Sequence, residues 1–275
     1  MSIGNFAARF DRQGEDYDRR AYLPETVCRS VVQGLMSLAG LHPGDIVVEV
    51  GVGSGQVSQW LCREPVTYLG FDRSRTMLDA CARKIRRNNA LLLQADGDNP
   101  WPIASGCARL VFGSRSIHLL EPDHVVSEVL RLASRKGAAL IIGRVKRPQD
   151  SVPERAKVEL RRLLRADGHS ALDGEANRTS LFERLTRHGA TVFDPMIAGS
   201  WSVITTPAQV IAGWEGRPGL AGVDVARPLK DTHIAALRRW AAKAFGGLET
   251  PVTISQSYIL NGVLLPGTRH SRDAG

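Results

Sequence analysis

The sequence predicts an α/β protein built on a doubly wound, mostly parallel sheet of seven strands, with helical insertions over the sheet's carboxyl edge. Three observations predict it. Short β-branched runs alternate with helical-period segments through the first half, the first run breaks into a glycine cluster just before a helix, and beyond Val145 the alternation gives way to amphipathic helices and polar loops. A chain of 275 residues with 43% hydrophobic content can bury a full core in one elaborated domain.

The elements follow in order. Apolar residues at Val27, Val31, Leu35 and Leu38 recur at helical spacing, and Leu41-His42-Pro43-Gly44-Asp45 closes that helix as a turn. Ile46-Val47-Val48-Glu49-Val50 reads as a strand covered on both faces, and the loop Gly51-Val52-Gly53-Ser54-Gly55 leads from it to a helix at 57–61. A strand at 66–71, a helix at 74–87, a third strand at 91–94, a fourth at 110–113, a helix at 122–133 and a fifth strand at 139–142 repeat the logic. Past that point helices are expected at 154–165, 180–188, 208–214 and 232–245, a polar loop at 167–177, and the last two strands at 191–193 and 252–265. The organisation expected is one domain over 1–275: an N-terminal helical cap (1–40), a cofactor-binding core (41–150), and two insertions forming a substrate lid (151–180 and 203–250) at the edge where open α/β sheets bind ligands.

Composition narrows the setting. The chain has 23% charged residues and no run of about 18 apolar ones, so no membrane span is expected. The start, MSIGNFAARFDRQGEDYDRR, has no apolar h-region. Four cysteines, Cys28, Cys62, Cys81 and Cys107, form no CxxC pair; the spacing suits reduced thiols and a cytoplasmic protein and gives no zinc pattern. A net charge of +8 and a pI near 9.7 permit acidic partners without demanding any, and the basic residues are scattered.

The chemistry concentrates in Glu49-Val50-Gly51-Val52-Gly53-Ser54-Gly55-Gln56. Glycines after a buried strand let a ligand approach the backbone, and the helix that follows offers free N–H groups, so a nucleotide-like cofactor is implied. A dinucleotide fingerprint starting at Gly51 would put its third glycine at position 56, where Gln56 stands; the glycine is at Gly55. This arrangement resembles motif I of the class I S-adenosylmethionine-dependent methyltransferases. Gly70-Phe71-Asp72-Arg73-Ser74-Arg75-Thr76-Met77-Leu78 is similar to that family's second-strand segment, Gln94-Ala95-Asp96-Gly97 to its adenine-edge segment, Leu110 to Leu120 to its fourth strand, and Glu128 to Ala138 to its E-x-x-R run with the glycine turn. The likeness runs in order over about residues 6–145, with Phe10-Asp11 and Tyr17-Asp18 echoing the quinone- and small-metabolite-methylating group.

The resemblance implies a Rossmann-like methyltransferase fold, S-adenosylmethionine as cofactor with S-adenosylhomocysteine as product, no metal, and transfer to an oxygen, nitrogen or carbon of a small-molecule acceptor. It implies cofactor contacts at Glu49 (methionine amine), Gly51, Gly53 and Gly55, Asp72 (ribose hydroxyls), Arg73, Met77, Asp96 and Gly97 (adenine side), Ser114 and Tyr17. His118, just past the fourth strand, is the candidate general base; Tyr17, Arg115 and Trp201 are candidates for closing the pocket. Arg109 replaces the acid usual before the fourth strand, against metal-dependent catechol-type methylation. Two alternatives compete. An RNA methyltransferase fits the charge, but Phe112-Gly113-Ser114-Arg115 lacks the (N/D)-P-P-(Y/F) tetrapeptide; a non-catalytic binding module fits the fold, but the motif residues are intact. The sequence leaves the oligomeric state open.

Overall fold

The computed structural model describes residues 22–85, 89–170, 174–216 and 219–267. In chain order its elements are α1 (Glu25–Leu38), β1 (Ile46–Val50), the single turn α2 (Ser58–Leu61), β2 (Thr67–Asp72), α3 (Arg75–Lys84), β3 (Ala90–Gln94) and β4 (Ala108–Ser114). A 3₁₀ turn (Ile117–Leu119) is followed by α4 (Pro122–Leu132), β5 (Ala138–Lys146), α5 (Val152–Ala166), α6 (Gly174–Arg187), β6 (Thr191–Thr205), α7 (Pro207–Glu215), α8 (Arg227–Ala244) and β7 (Val252–Leu265). Prolines open α4, α5, α7 and α8, where a missing N–H costs no hydrogen bond. A capping box between Thr206 and Gln209 adds to the start of α7.

The seven strands form one sheet in the order β3-β2-β1-β4-β5-β7-β6, and β1–β2, β2–β3, β1–β4 and β4–β5 are parallel pairs. This is the doubly wound, Rossmann-like arrangement expected. Glu49 pairs with Gly70 on one side and Phe112 on the other, so the one acid of β1 sits at the sheet's centre. The chain moves outward through β2 and β3 and then returns to the other side of β1 as β4. The strand order therefore reverses between β1 and β4, and the crevice at their carboxyl ends is the expected ligand site.

Two compact units share the chain. The first takes residues 1–144, 174–199 and 258–275, the second 145–173 and 200–257, with boundaries inside β6 and β7. One core of the first unit gathers Val48, Val50, Phe71, Val111, Val125, Val129, Leu140, Leu181 and Leu185, apolar positions of β1, β2, β4, β5, α4 and α6. The second unit has a core of its own, Ala156, Leu160 and Leu164 of α5 with Ile211 of α7 and Ile234, Leu237 and Ala241 of α8, at the i, i+3 and i, i+4 spacing of helices that bury one stripe.

Two elements differ most from the sequence reading. The loop expected at 167–177 is already helix from Gly174, where Glu175 pairs with Arg178 and the Thr179 hydroxyl donates to the Glu175 carbonyl. β6, expected to stop at Phe193 before Asp194-Pro195, runs on to Thr205. It is the sheet's edge strand, where a residue without an N–H is tolerated because one side of the ladder has no partner. Arg109 lies at the amino end of β4, the end away from the crevice. Its guanidinium donates to the carbonyls of Lys136 and Gly137 and approaches the Asp45 carboxylate at 3.7 Å, which ties the β4 start to the β5 turn.

Candidate functional site

The crevice at the switch point holds a small recess lined by Glu49, Gly51, Val52, Gly53, Ser54, Gln56, Val57, Ser114 and Arg115. One wall is the loop after β1 and the other is the end of β4. The loop folds back because its three glycines take positive φ, 71° at Gly51, 53° at Gly53 and 78° at Gly55, a region that side chains strain to adopt. Two of them serve different ends. A Cβ at Gly55 would stand 2.7 Å from the Cys81 sulfur, so this glycine lets the loop press on α3; at Gly53 a Cβ would meet nothing within 4 Å, so the peptide there is bare.

Asp72, the last residue of β2, organises the loop from its neighbour strand. Its Oδ2 accepts the Gly53 N–H at 2.8 Å and its Oδ1 the Ser74 N–H at 2.9 Å. Burial raises its pKa above the ordinary carboxylate value, opposed by these two amides and by Arg73. Arg73 itself reaches Asp96 past the end of β3 at 3.5 Å. Asp72, Arg73 and Asp96 thus share the carboxyl ends of β2 and β3. The Gly97 carbonyl accepts the Trp101 indole N–H at 2.9 Å, and Leu120 packs so close that a Cβ at Gly97 would lie 2.9 Å from it.

Glu49 is the most deeply buried acid of the site, 1% exposed. Its Oε2 accepts two hydroxyls, Tyr68 at 2.7 Å and Ser58 at 2.8 Å. Burial pushes its pKa up to about 7, against the pull of both hydrogen bonds. Tyr68 reaches it because position 70, two residues along the same strand face, is glycine: a Cβ there would come 2.6 Å from the Tyr68 hydroxyl. The sequence reading missed Tyr68 and Ser58; the Tyr-x-Gly spacing in β2 was the visible signal.

The remaining candidates divide. Ser114 lines the recess and shares a hydrogen bond with the Tyr258 hydroxyl at 2.6 Å. Met77 is buried on α3, with its N–H on the capping Ser74 hydroxyl. Arg115 lines the recess at a φ of 61°, rare for an arginine, its N–H bonded to the Gly143 carbonyl at 2.9 Å. His118 lies on the 3₁₀ turn and does not line the recess. Its ring faces the start of α6, where a Cβ at Gly174 would strike it, and its carbonyl accepts from Asn177 at 3.2 Å. Trp201 is in β6, in the second unit. Tyr17 lies outside the described residues, as do Phe10-Asp11.

Known proteins resemble this chain in sequence and in fold. A family model described as a methyltransferase domain matches residues 47–137, the stretch from β1 to the β5 turn. A malonyl-[acyl-carrier protein] O-methyltransferase of Marinomonas sp. (strain MWYL1) is 27% identical over 155 residues, 55% of this chain; the match spans about half of that relative, 54%. Among solved structures, a protein of Bacillus halodurans C-125 described as a methyltransferase superposes with a TM-score of 0.56 at 16% identity, covering 86% of this chain and 99% of its own. The YcgJ protein of Bacillus subtilis gives 0.54 at 14% identity, covering 86% and 98%. At such identities the two structures show a shared fold. The match to a methyltransferase domain thus falls on residues 47–137, the stretch that carries the glycine loop at the switch point of a Rossmann-like sheet.

Proposed function

We propose that the protein transfers the methyl group of S-adenosylmethionine to an oxygen, nitrogen or carbon atom of a small-molecule acceptor. The observation that carries the reading is the bare Gly53 peptide, held by Asp72 beside the recess at the β1/β4 switch point. Bound there, the cofactor supplies a sulfonium methyl, an electrophile that needs no metal to react. The protein's part is to bind, orient and desolvate. Asp72 accepts the ribose hydroxyls, Glu49 faces the methionine ammonium, and Gly51, Gly53 and Gly55 allow backbone approach. Arg73, Met77, Asp96 and Gly97 bound the adenine side, and Ser114 closes the far wall. The name of the curated relative, an O-methyltransferase of a malonyl group, makes carboxylic acids the first acceptors to try.

Thermal-shift and calorimetric titrations test the cofactor. S-adenosylmethionine and S-adenosylhomocysteine should raise Tm while NAD and NADP leave it unchanged; stabilisation by the nicotinamide cofactors alone would sink the reading. Asp72→Ala should weaken cofactor binding by about 2–4 kcal/mol, the worth of charge-assisted bonds to two hydroxyls. Incorporation of labelled methyl across a panel of acids, phenols and amines then identifies the acceptor.

A further inference from the structure

Glu49 carries a feature that cofactor binding alone does not account for. Its carboxylate lies in the centre of a sheet, 1% exposed, yet it lines the recess, and among the described residues it has no ion-pair partner. What it has instead are two neutral hydroxyl donors converging on one oxygen, Oε2. They come from different elements, Ser58 from α2 and Tyr68 from β2. Tyr68 is itself fully buried, and burial raises its phenol pKa well above the ordinary value, so it remains a donor across the working pH range. Gly70 keeps open the space its hydroxyl needs.

The other groups facing this carboxylate are few. Asp72 at the end of β2 opposes its ionisation, Cys81 of α3 and Tyr258 of β7 feel its charge, and Arg115 lines the same recess. A buried acid held only by neutral donors near pH 7 is poised between its two forms. A ligand cation placed against it decides between them.

We propose that Tyr68 and Ser58 are positioning residues for the cofactor: by donating to Oε2 they keep the Glu49 carboxylate ionisable and aimed into the recess, so that uptake of the cofactor's ammonium is coupled to release of the Glu49 proton to solvent. This rests on the reading of Glu49 as the partner of that ammonium. The pH sign follows. Below about pH 7 free Glu49 is protonated, and affinity falls by up to tenfold per pH unit as the proton competes with the ligand; above it affinity is level. Loss of a donor to the charged form moves the midpoint upward by about one unit.

The test uses S-adenosylhomocysteine, which carries the ammonium, and 5′-methylthioadenosine, which lacks it, titrated calorimetrically from pH 5.5 to 8.5 in two buffers of different ionisation enthalpy. Wild type should bind S-adenosylhomocysteine more tightly as pH rises and release a fraction of a proton near pH 6.5. 5′-Methylthioadenosine should show a flat profile. Tyr68→Phe, which removes only the hydroxyl, should shift the S-adenosylhomocysteine midpoint upward and weaken binding about five- to tenfold at pH 7, leaving 5′-methylthioadenosine unaffected. Ser58→Ala should shift it the same way, and serves if Tyr68→Phe folds poorly. Superimposable pH profiles for wild type and both variants would overturn the inference, as would an equal pH dependence for 5′-methylthioadenosine. Glu49→Gln separates the two levels: if it binds S-adenosylhomocysteine as tightly as wild type, the ammonium reading itself fails, whereas weak, pH-independent binding upholds that reading whatever Tyr68→Phe shows.

Discussion

At the scale of single residues, the burial of Glu49 acts against the free fold. Its pKa in the folded protein is about 7 against an ordinary 4.5, so the folded chain holds a proton that the unfolded chain gives up. The neutral form stabilises the fold fully below pH 4.5, and that contribution is lost as pH rises through about 7, on the order of 3 kcal/mol by pH 8. Glu49→Gln keeps an oxygen for the two hydroxyls and carries no charge. In denaturant unfolding of the cofactor-free protein it should gain about 2–3 kcal/mol over wild type at pH 8 and less than about 1 kcal/mol at pH 5. An equal difference at both pH values would show that Glu49 is not the group responsible. His118 is tested by kinetics. As proton acceptor for an oxygen or nitrogen nucleophile, its loss in His118→Ala should lower kcat by about 10²–10⁴ with cofactor affinity retained, and the wild-type rate should fall as pH drops through the imidazole range. A higher KM for the acceptor with kcat little changed would make it part of the pocket wall instead.

At the scale of elements, α4 does more than cover the sheet. Glu128 and Arg131, one turn apart on it, form an ion pair that also grips the segment leading into β4. Glu128 Oε2 accepts the Trp101 N–H at 2.8 Å, while Arg131 donates to the carbonyls of Trp101 at 3.0 Å and Ile103 at 2.7 Å. The hydrogen bond from Arg131 is the first cause of the lowered Glu128 pKa. That segment lies just past Asp96 and Gly97, so its anchoring holds the loop after β3 in place. Glu128→Ala strips a buried N–H and a guanidinium of their acceptor and should cost about 2–4 kcal/mol at pH 7. A depressed acid stabilises above its ordinary pKa and loses that contribution as pH falls through the folded value. The gap between wild type and Glu128→Ala in urea unfolding should therefore narrow below pH 4.5. A gap that stays constant with pH would assign the loss to packing.

At the scale of the whole molecule, two cores divide the labour. Every residue lining the recess belongs to the first unit, whereas the stripe of α5, α7 and α8 closes on itself in the second. Leu237, completely buried in that stripe, should cost about 2–5 kcal/mol as Leu237→Ala through lost transfer energy and the cavity left behind. Measured well below its melting transition, the variant should bind S-adenosylhomocysteine within about twofold of wild type. A loss of affinity in step with the loss of stability would show that the recess depends on packing in the second unit.

What the sequence determined by itself is local. A β-branched run is a strand wherever it lies, glycines at 51, 53 and 55 can turn where side chains cannot, and an aspartate after a second strand falls at the carboxyl edge once the strands are parallel. These features located the recess and its likeness to a family. Contacts between strands were decided only by the tertiary structure. The parallel register that sets Glu49 opposite Gly70, with Val47 opposite Tyr68, lets a phenol reach across to the acid through the space a missing Cβ leaves. The length of β6 was hidden for a related reason, since Pro195 reads as a stop until the strand is known to lie at the edge. Arg109, legible only as a departure from a motif, proved to tie the far end of the sheet. In each case the partner is remote in sequence, and pairing register, which no local pattern encodes, settles which side chains meet.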